Sequence, residues 1–148
     1  MRLLALILLA LAGASLAPSR AAAADPTFQV TLHRGPCFRT CASYSVSIDA
    51  GGTVTFVGPC VGPRPGRMPP SSVAALEAEI DRAGFFALNA SYRSGLMDVP
   101  EYSLTVTRHG RTKTVIDRAG EMVGMPKSVH EIEAAIETAG DDRCLAPR

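Results

Sequence analysis

Four cysteines and three histidines are the residues of this 148-residue chain whose types best suit covalent, redox or metal chemistry. Cys37 and Cys41 are spaced C-x3-C, which is not the C-x-x-C of dithiol oxidoreductases, and no helix clearly follows them to lower a thiol pKa. Zinc would need a fourth ligand and reduced thiols, so no metal and no cofactor is expected. An even cysteine count reads first as two disulfides, with three possible connectivities. On a strand, Cys37 and Cys41 would lie about 13 Å apart, beyond the roughly 7 Å limit for a bridge. They can pair only across a turn, which Gly35-Pro36 favours. The expected partners are then Cys37 with Cys41 and Cys60 with Cys144, all structural.

The remaining chemistry is sparse. His109 falls in a hairpin turn and His130 on an early helix turn, both ordinary solvated positions. The chain contains no G-x-S-x-G, H-E-x-x-H, P-loop or dinucleotide fingerprint. Asp49, Asp98 and Asp117 could include a carboxylate pair, but turn formation accounts for the first two. Glu77-Glu79-Asp81 and Glu131-Glu133-Glu137 read as solvated helix faces. Arg108, Arg111, Lys113 and Arg118 gather basic charge on one hairpin.

Arg2, the apolar run from Leu3 to Leu11 and small residues up to Ala24 have the layout of a secretory signal. Cleavage after Ala22-Ala23-Ala24 is preferred to cleavage after Ser15-Leu16-Ala17, which would leave Pro18 first. The run is about half the roughly 20 residues of a membrane span, so no transmembrane segment should remain after cleavage. Residues 1–24 are therefore expected to be removed and 25–148 to form one exported domain, periplasmic or secreted. Losing Arg2 and Arg20 takes the formal charge from +1 to −1. That balance disfavours nucleic acid as a partner.

Strand alternation appears in Phe28, Val30 and Leu32; in Tyr44, Val46 and Ile48; in residues 53–57; in Tyr102, Leu104 and Val106; and in residues 111–117. Helical spacing links Val73, Leu76, Ile80 and Ala83, and again Val129, Ile132, Ile136 and Ala139. Ser71 or Ser72 can cap the first helix; Ser128 and Glu131 suggest a capping box on the second. The segments Tyr44-Ser45-Val46-Ser47-Ile48 and Tyr102-Ser103-Leu104-Thr105-Val106 mirror each other, as do the two helices. The expected fold is α+β and two-layered: a mostly antiparallel five-stranded sheet, two helices on one face, and a duplicated β-β-α unit whose halves superpose by a rotation.

The stretch Gly35-Pro36-Cys37-Phe38-Arg39-Thr40-Cys41-Ala42-Ser43-Tyr44, with Ala83-Gly84-Phe85-Phe86, Asp98-Val99-Pro100, Gly110-Arg111-Thr112-Lys113 and Asp117, resembles an uncharacterised family of exported bacterial domains carrying G-P-C-F-G-T-C-P-x-Y. The likeness covers most of residues 28–140 and departs at Arg39 and Ala42, where Gly and Pro are the pattern. Cys60 and Cys144 fall outside it. It implies export and a fold, and no activity.

Two functional readings follow. The leading one is an exported, non-catalytic binding or interaction module of the bacterial envelope. The alternative is a small envelope hydrolase or inhibitor-like protein. For the module, the helix-free sheet face should present Gln29, Thr31, His33, Ser45, Ser47, Thr53, Thr55, Ser103, Thr105, Thr107, Arg111 and Lys113. Arg111, Lys113, Thr105 and His33 are the candidate binding residues, for an envelope polymer or an acidic protein partner. A hydrolase would instead need a deep pocket with a histidine and a carboxylate in hydrogen-bond reach.

Overall fold

A computed structural model of the chain describes residues 25–38, 41–59 and 64–140. The strands are β1 (Gln29–Arg34), β2 (Tyr44–Asp49), β3 (Thr53–Val57), β4 (Arg64–Arg67), β5 (Ser91–Arg93), β6 (Tyr102–Arg108) and β7 (Arg111–Arg118). They form one sheet in the order β4-β3-β2-β1-β6-β7-β5. The helices are α1 (Pro70–Arg82) and α2 (Lys127–Ala139). The expected signal segment, with Cys60 and Cys144, lies outside the described residues.

The α+β class stands, and the five-stranded sheet does not: the sheet has seven strands, and β5 pairs parallel to β7. The two extra strands are the outer ones. β4 has the sequence Arg-Pro-Gly-Arg, and β5 is three residues long with Tyr92 alone buried. Neither is long or apolar enough to show an alternating pattern.

β1 is the middle strand. It pairs antiparallel with β2 on one edge and with β6 on the other. Val30 and Leu32 on it are fully buried, level with Val46 and Ile48 on one side and Leu104 and Val106 on the other. Val73, Leu76 and Ile80 of α1 and Val129, Ile132 and Ile136 of α2 close over this face in a single core. The two helices also touch each other.

This layout overturns the rotational duplication. β2 and β6 both run opposite to β1, so they run parallel to each other. β3 then lies outward on one side and β7 outward on the other. With both helices on the same face, the β-β-α units have opposite hands, and no rotation superposes them. Their sequence likeness accords with shared local requirements, a hairpin and an amphipathic helix.

Neither helix uses the expected serine caps. The N-cap residues are Pro69 and Pro126, without a side-chain capping bond. Pro70 occupies the first turn of α1, where the missing N–H costs nothing. Ser128 thus falls inside the helix, and Glu131 pairs with Lys127 at 3.0 Å.

Asp25 ties the start of the described chain to the far hairpin. Its carboxylate accepts from Thr27 N–H (2.9 Å), Thr27 O–H (2.7 Å) and His109 N–H (2.6 Å). Burial alone would raise its pKa, but these bonds outweigh burial and hold it at about 2.

The turn into β3 is built on Gly52. Its φ is +78°, and a Cβ there would lie 2.3 Å from the Met68 carbonyl oxygen. That carbonyl belongs to the segment entering α1, and Met68 N–H donates back to Gly52 O at 2.7 Å. Gly52→Ala should therefore destabilise the protein by more than about 1 kcal/mol, read as a lower urea midpoint at unchanged slope.

Candidate functional site

The four residues singled out for binding do not share a surface. His33 and Thr105 lie on the helix-free face of the sheet. There His33 Nδ1 is 3.0 Å from Ser45 Oγ, and the Thr105 and Thr114 hydroxyls are 2.8 Å apart. Arg111 and Lys113 lie on the helix side, contrary to expectation. The turn decides this. His109 (φ +50°) and Gly110 (φ +70°) form a two-residue hairpin loop, which places Arg111 opposite Arg108 and Lys113 opposite Val106. Val115 is consequently the buried residue and Ile116 faces outward, one residue out of step with the expectation.

On the helix side these cations have structural work. Lys113 Nζ donates to the Phe86 (3.3 Å) and Leu88 carbonyl oxygens, holding the short 3-10 turn Phe85–Ala87 against the sheet. Arg111 lies over the Phe86 ring, 4.9 Å from its centre. Arg108 reaches Glu77 (3.2 Å) and Asp81 on α1. Burial raises the Glu77 pKa, and Arg108 opposes that rise. Lys113→Ser should lower stability by about 1–2 kcal/mol, since it strips a charged donor from two carbonyls. A melting curve of the variant checks it, and an unchanged midpoint would contradict this role.

The helix-free face is a field of hydroxyls. Across the strands, Thr55, Ser47, Thr31, Thr105 and Thr114 lie directly opposite one another in a row. Thr31 and Ser47 are bonded at 3.0 Å, and Thr107 and Thr112, one row away, at 2.9 Å. Among the described residues no helix covers this face, because both helices pack on the other.

A second polar cluster sits beneath α2, at the end of the sheet where β1 and β6 approach the disulfide. The Arg34 guanidinium lies 5.7 Å from the Tyr44 ring centre and 5.8 Å from that of Tyr102. Tyr44 O–H donates to Glu137, and burial with that bond pushes its pKa well above the usual phenol range. Burial, with the Glu137 charge beside it, pushes Tyr102 up to about 12.

Glu133 is the most unusual group in the cluster. It is 2% exposed, and its Oε1 has no hydrogen-bond donor. Burial first, and then Asp117 beside it, push its pKa up to about 9. At neutral pH Glu133 is therefore a protonated acid able to donate to Asp117. Asp117 Oδ1 accepts Gly120 N–H at 2.6 Å. A Cβ on Gly120 would lie 2.8 Å from that oxygen and 2.8 Å from Tyr92 Cβ, so glycine is needed there.

Asp117 also lines a cleft of about 260 Å³. Val99, Pro100, Tyr102 and Met122 supply apolar walls, and Glu121 and His130 supply polar edges. His130 Nδ1 is 3.9 Å from Glu133 Oε2, outside hydrogen-bond reach.

The expectation of a solvated Glu131-Glu133-Glu137 face fails at Glu133. The signal was present in the spacing: Glu133 follows Ile132 inside the stripe Val129, Ile132, Ile136. Glu77 follows Leu76 in the same way on α1, and it too is buried.

Cys37 and Cys41 form a disulfide with their Cα atoms 5.2 Å apart, across the expected turn. Among the described residues no helix is long and apolar enough to cross a membrane.

Glu133 links folding to proton uptake. Its folded pKa is about 9 against 4.5 unperturbed, so between those values the folded chain holds a proton that the unfolded chain has released. This contribution to stability must fall as pH rises from about 5 to 9. Glu133→Gln keeps a neutral donor toward Asp117 and removes that proton cost. It should raise stability at pH 8 by at least about 1 kcal/mol and flatten the slope in denaturation series across pH.

No curated protein matches the chain. A family model described as a domain of unknown function, DUF6438, matches residues 28–140, a span from just before β1 to just past α2. The chain belongs to that domain-of-unknown-function family.

Proposed function

We propose that the protein is an exported, non-catalytic binding module of the bacterial envelope, and that its ligand lies on the helix-free face of the sheet. The observation that carries this reading is the hydroxyl row Thr55, Ser47, Thr31, Thr105 and Thr114, set side by side on neighbouring strands. Strands repeat at about 4.8 Å, so the row offers evenly spaced donors and acceptors to a repeating chain. A hydroxyl-rich sugar polymer matches that chemistry better than an acidic partner, because Arg111 and Lys113 lie on the opposite side. The signal-like segment 1–24 supports export, as does the Cys37–Cys41 bridge, which belongs to oxidising compartments.

The hydrolase reading draws less support. The histidine and carboxylate within reach, His109 Nδ1 and Asp25 Oδ2 at 3.1 Å, sit at an exposed hairpin turn and do not line the cleft. His130 and Glu133 are beyond hydrogen-bond distance, and Asp117 already accepts a backbone N–H.

Thr31→Val combined with Thr105→Val keeps the branched shape and removes two hydroxyls from the centre of the row. The doubly substituted protein should melt within a few degrees of the parent. Its retention on isolated peptidoglycan should fall about tenfold, the effect of losing two hydrogen bonds of ordinary strength. Equal retention of both proteins, or none of the parent, would overturn the reading. Independently, the intact mass of the exported product should correspond to a chain starting at Asp25 and carrying no lipid.

A further inference from the structure

We propose that the cleft beside Asp117 is a separate binding site, for a small organic cation with an apolar body. Three observations meet there. The cleft is preformed, at about 260 Å³, a little below the usual range for small-molecule sites. Its walls from Val99, Pro100, Tyr102 and Met122 suit a short hydrocarbon or compact alkyl group. Its charge is negative: Asp117 within, 5% exposed, and Glu121 at the exposed edge.

Glu133 bears on which charge the cleft carries. It does not line the cleft; nearly wholly buried and held protonated beside Asp117, it leaves Asp117 as the charged member of the pair. An ammonium group in the cleft would add N–H donors to that buried carboxylate, which already accepts the Gly120 N–H, and would offset its charge. An anionic ligand would meet Asp117 and Glu121 and is disfavoured. A neutral ligand would leave the Asp117 charge without a counter-ion.

The surrounding segment is shaped to hold this arrangement. Ala119 (φ +48°) and Gly124 (φ +88°) bracket the 3-10 turn Gly120–Val123, both in the left-handed region. A non-glycine residue at that φ carries strain of about 1–3 kcal/mol, and such strain gathers at ligand-contacting segments. Met122 on this turn is 68% exposed despite its apolar side chain, and it lines the cleft.

The test is a titration of the full chain with n-butylammonium, followed by backbone amide NMR, with n-butanol as the neutral probe of the same shape. The amides of Gly120, Glu121 and Met122 should shift saturably with n-butylammonium and at least about tenfold less readily with n-butanol. Asp117→Asn preserves an oxygen to accept Gly120 N–H, and it should weaken n-butylammonium about tenfold. Glu121→Gln lies at the exposed edge, where it cannot disturb the core, and it should weaken binding by a smaller factor. Equal affinity for butanol would reduce the cleft to an apolar hollow and overturn the proposal. So would the absence of saturable shifts with the parent protein, or unchanged binding in both variants.

Discussion

The central constraint is the position of β1, hydrogen-bonded along both edges and buried on one face. Val30 and Leu32 can be excluded from water only if β2 and β6 flank them and both helices close above. Because β2 and β6 are each antiparallel to β1, the hairpins must leave it in opposite directions. The opposite hands of the two β-β-α units follow from that pairing once both helices close over the same face. The hydroxyl face also follows, since a strand that buries alternate residues must display the others.

The opposed hairpins give two similar helices different surroundings. Glu77 and Glu133 hold corresponding places on the inner stripes of α1 and α2. Glu77 meets Arg108 at the end of β6, and its charge is answered. Glu133 meets Asp117 on β7, a like group, and is driven to hold a proton. An ion pair tolerates burial because opposite charges offset lost hydration; a carboxyl pair tolerates it only by giving up one charge. One side of the molecule therefore carries a neutralised pair, and the other a latent negative charge.

The inner strands and both helices were legible in the sequence because each buries several residues at a regular period. The Cys37–Cys41 bridge was legible because Gly35-Pro36 announced a turn. β4 and β5 were not, since pairing with a neighbour, rather than any pattern of their own, makes them strands. The side on which Lys113 lies depended on a choice between Val115 and Ile116, adjacent apolar residues that fit either register. The left-handed conformations of His109 and Gly110 settle that choice, and a histidine gives little notice of positive φ. Of the polar cluster, Tyr44 and Tyr102 were readable as inward residues. The meeting of Glu133 with Asp117 was not, because it joins segments whose relative placement depends on the hairpin's direction.

The two outer strands have a bearing on how the molecule behaves among copies of itself. A sheet that ends in a long, regular strand offers free N–H and C=O groups to another chain. Here one border is β4, where Pro65 has no N–H to give and Arg67 is exposed. The other is β5, which is three residues long and runs parallel to its neighbour. Both borders are poor templates for an incoming strand. A sheet rich in threonine has high β-propensity, and among the described residues these short, interrupted borders disfavour its extension edge to edge by another copy.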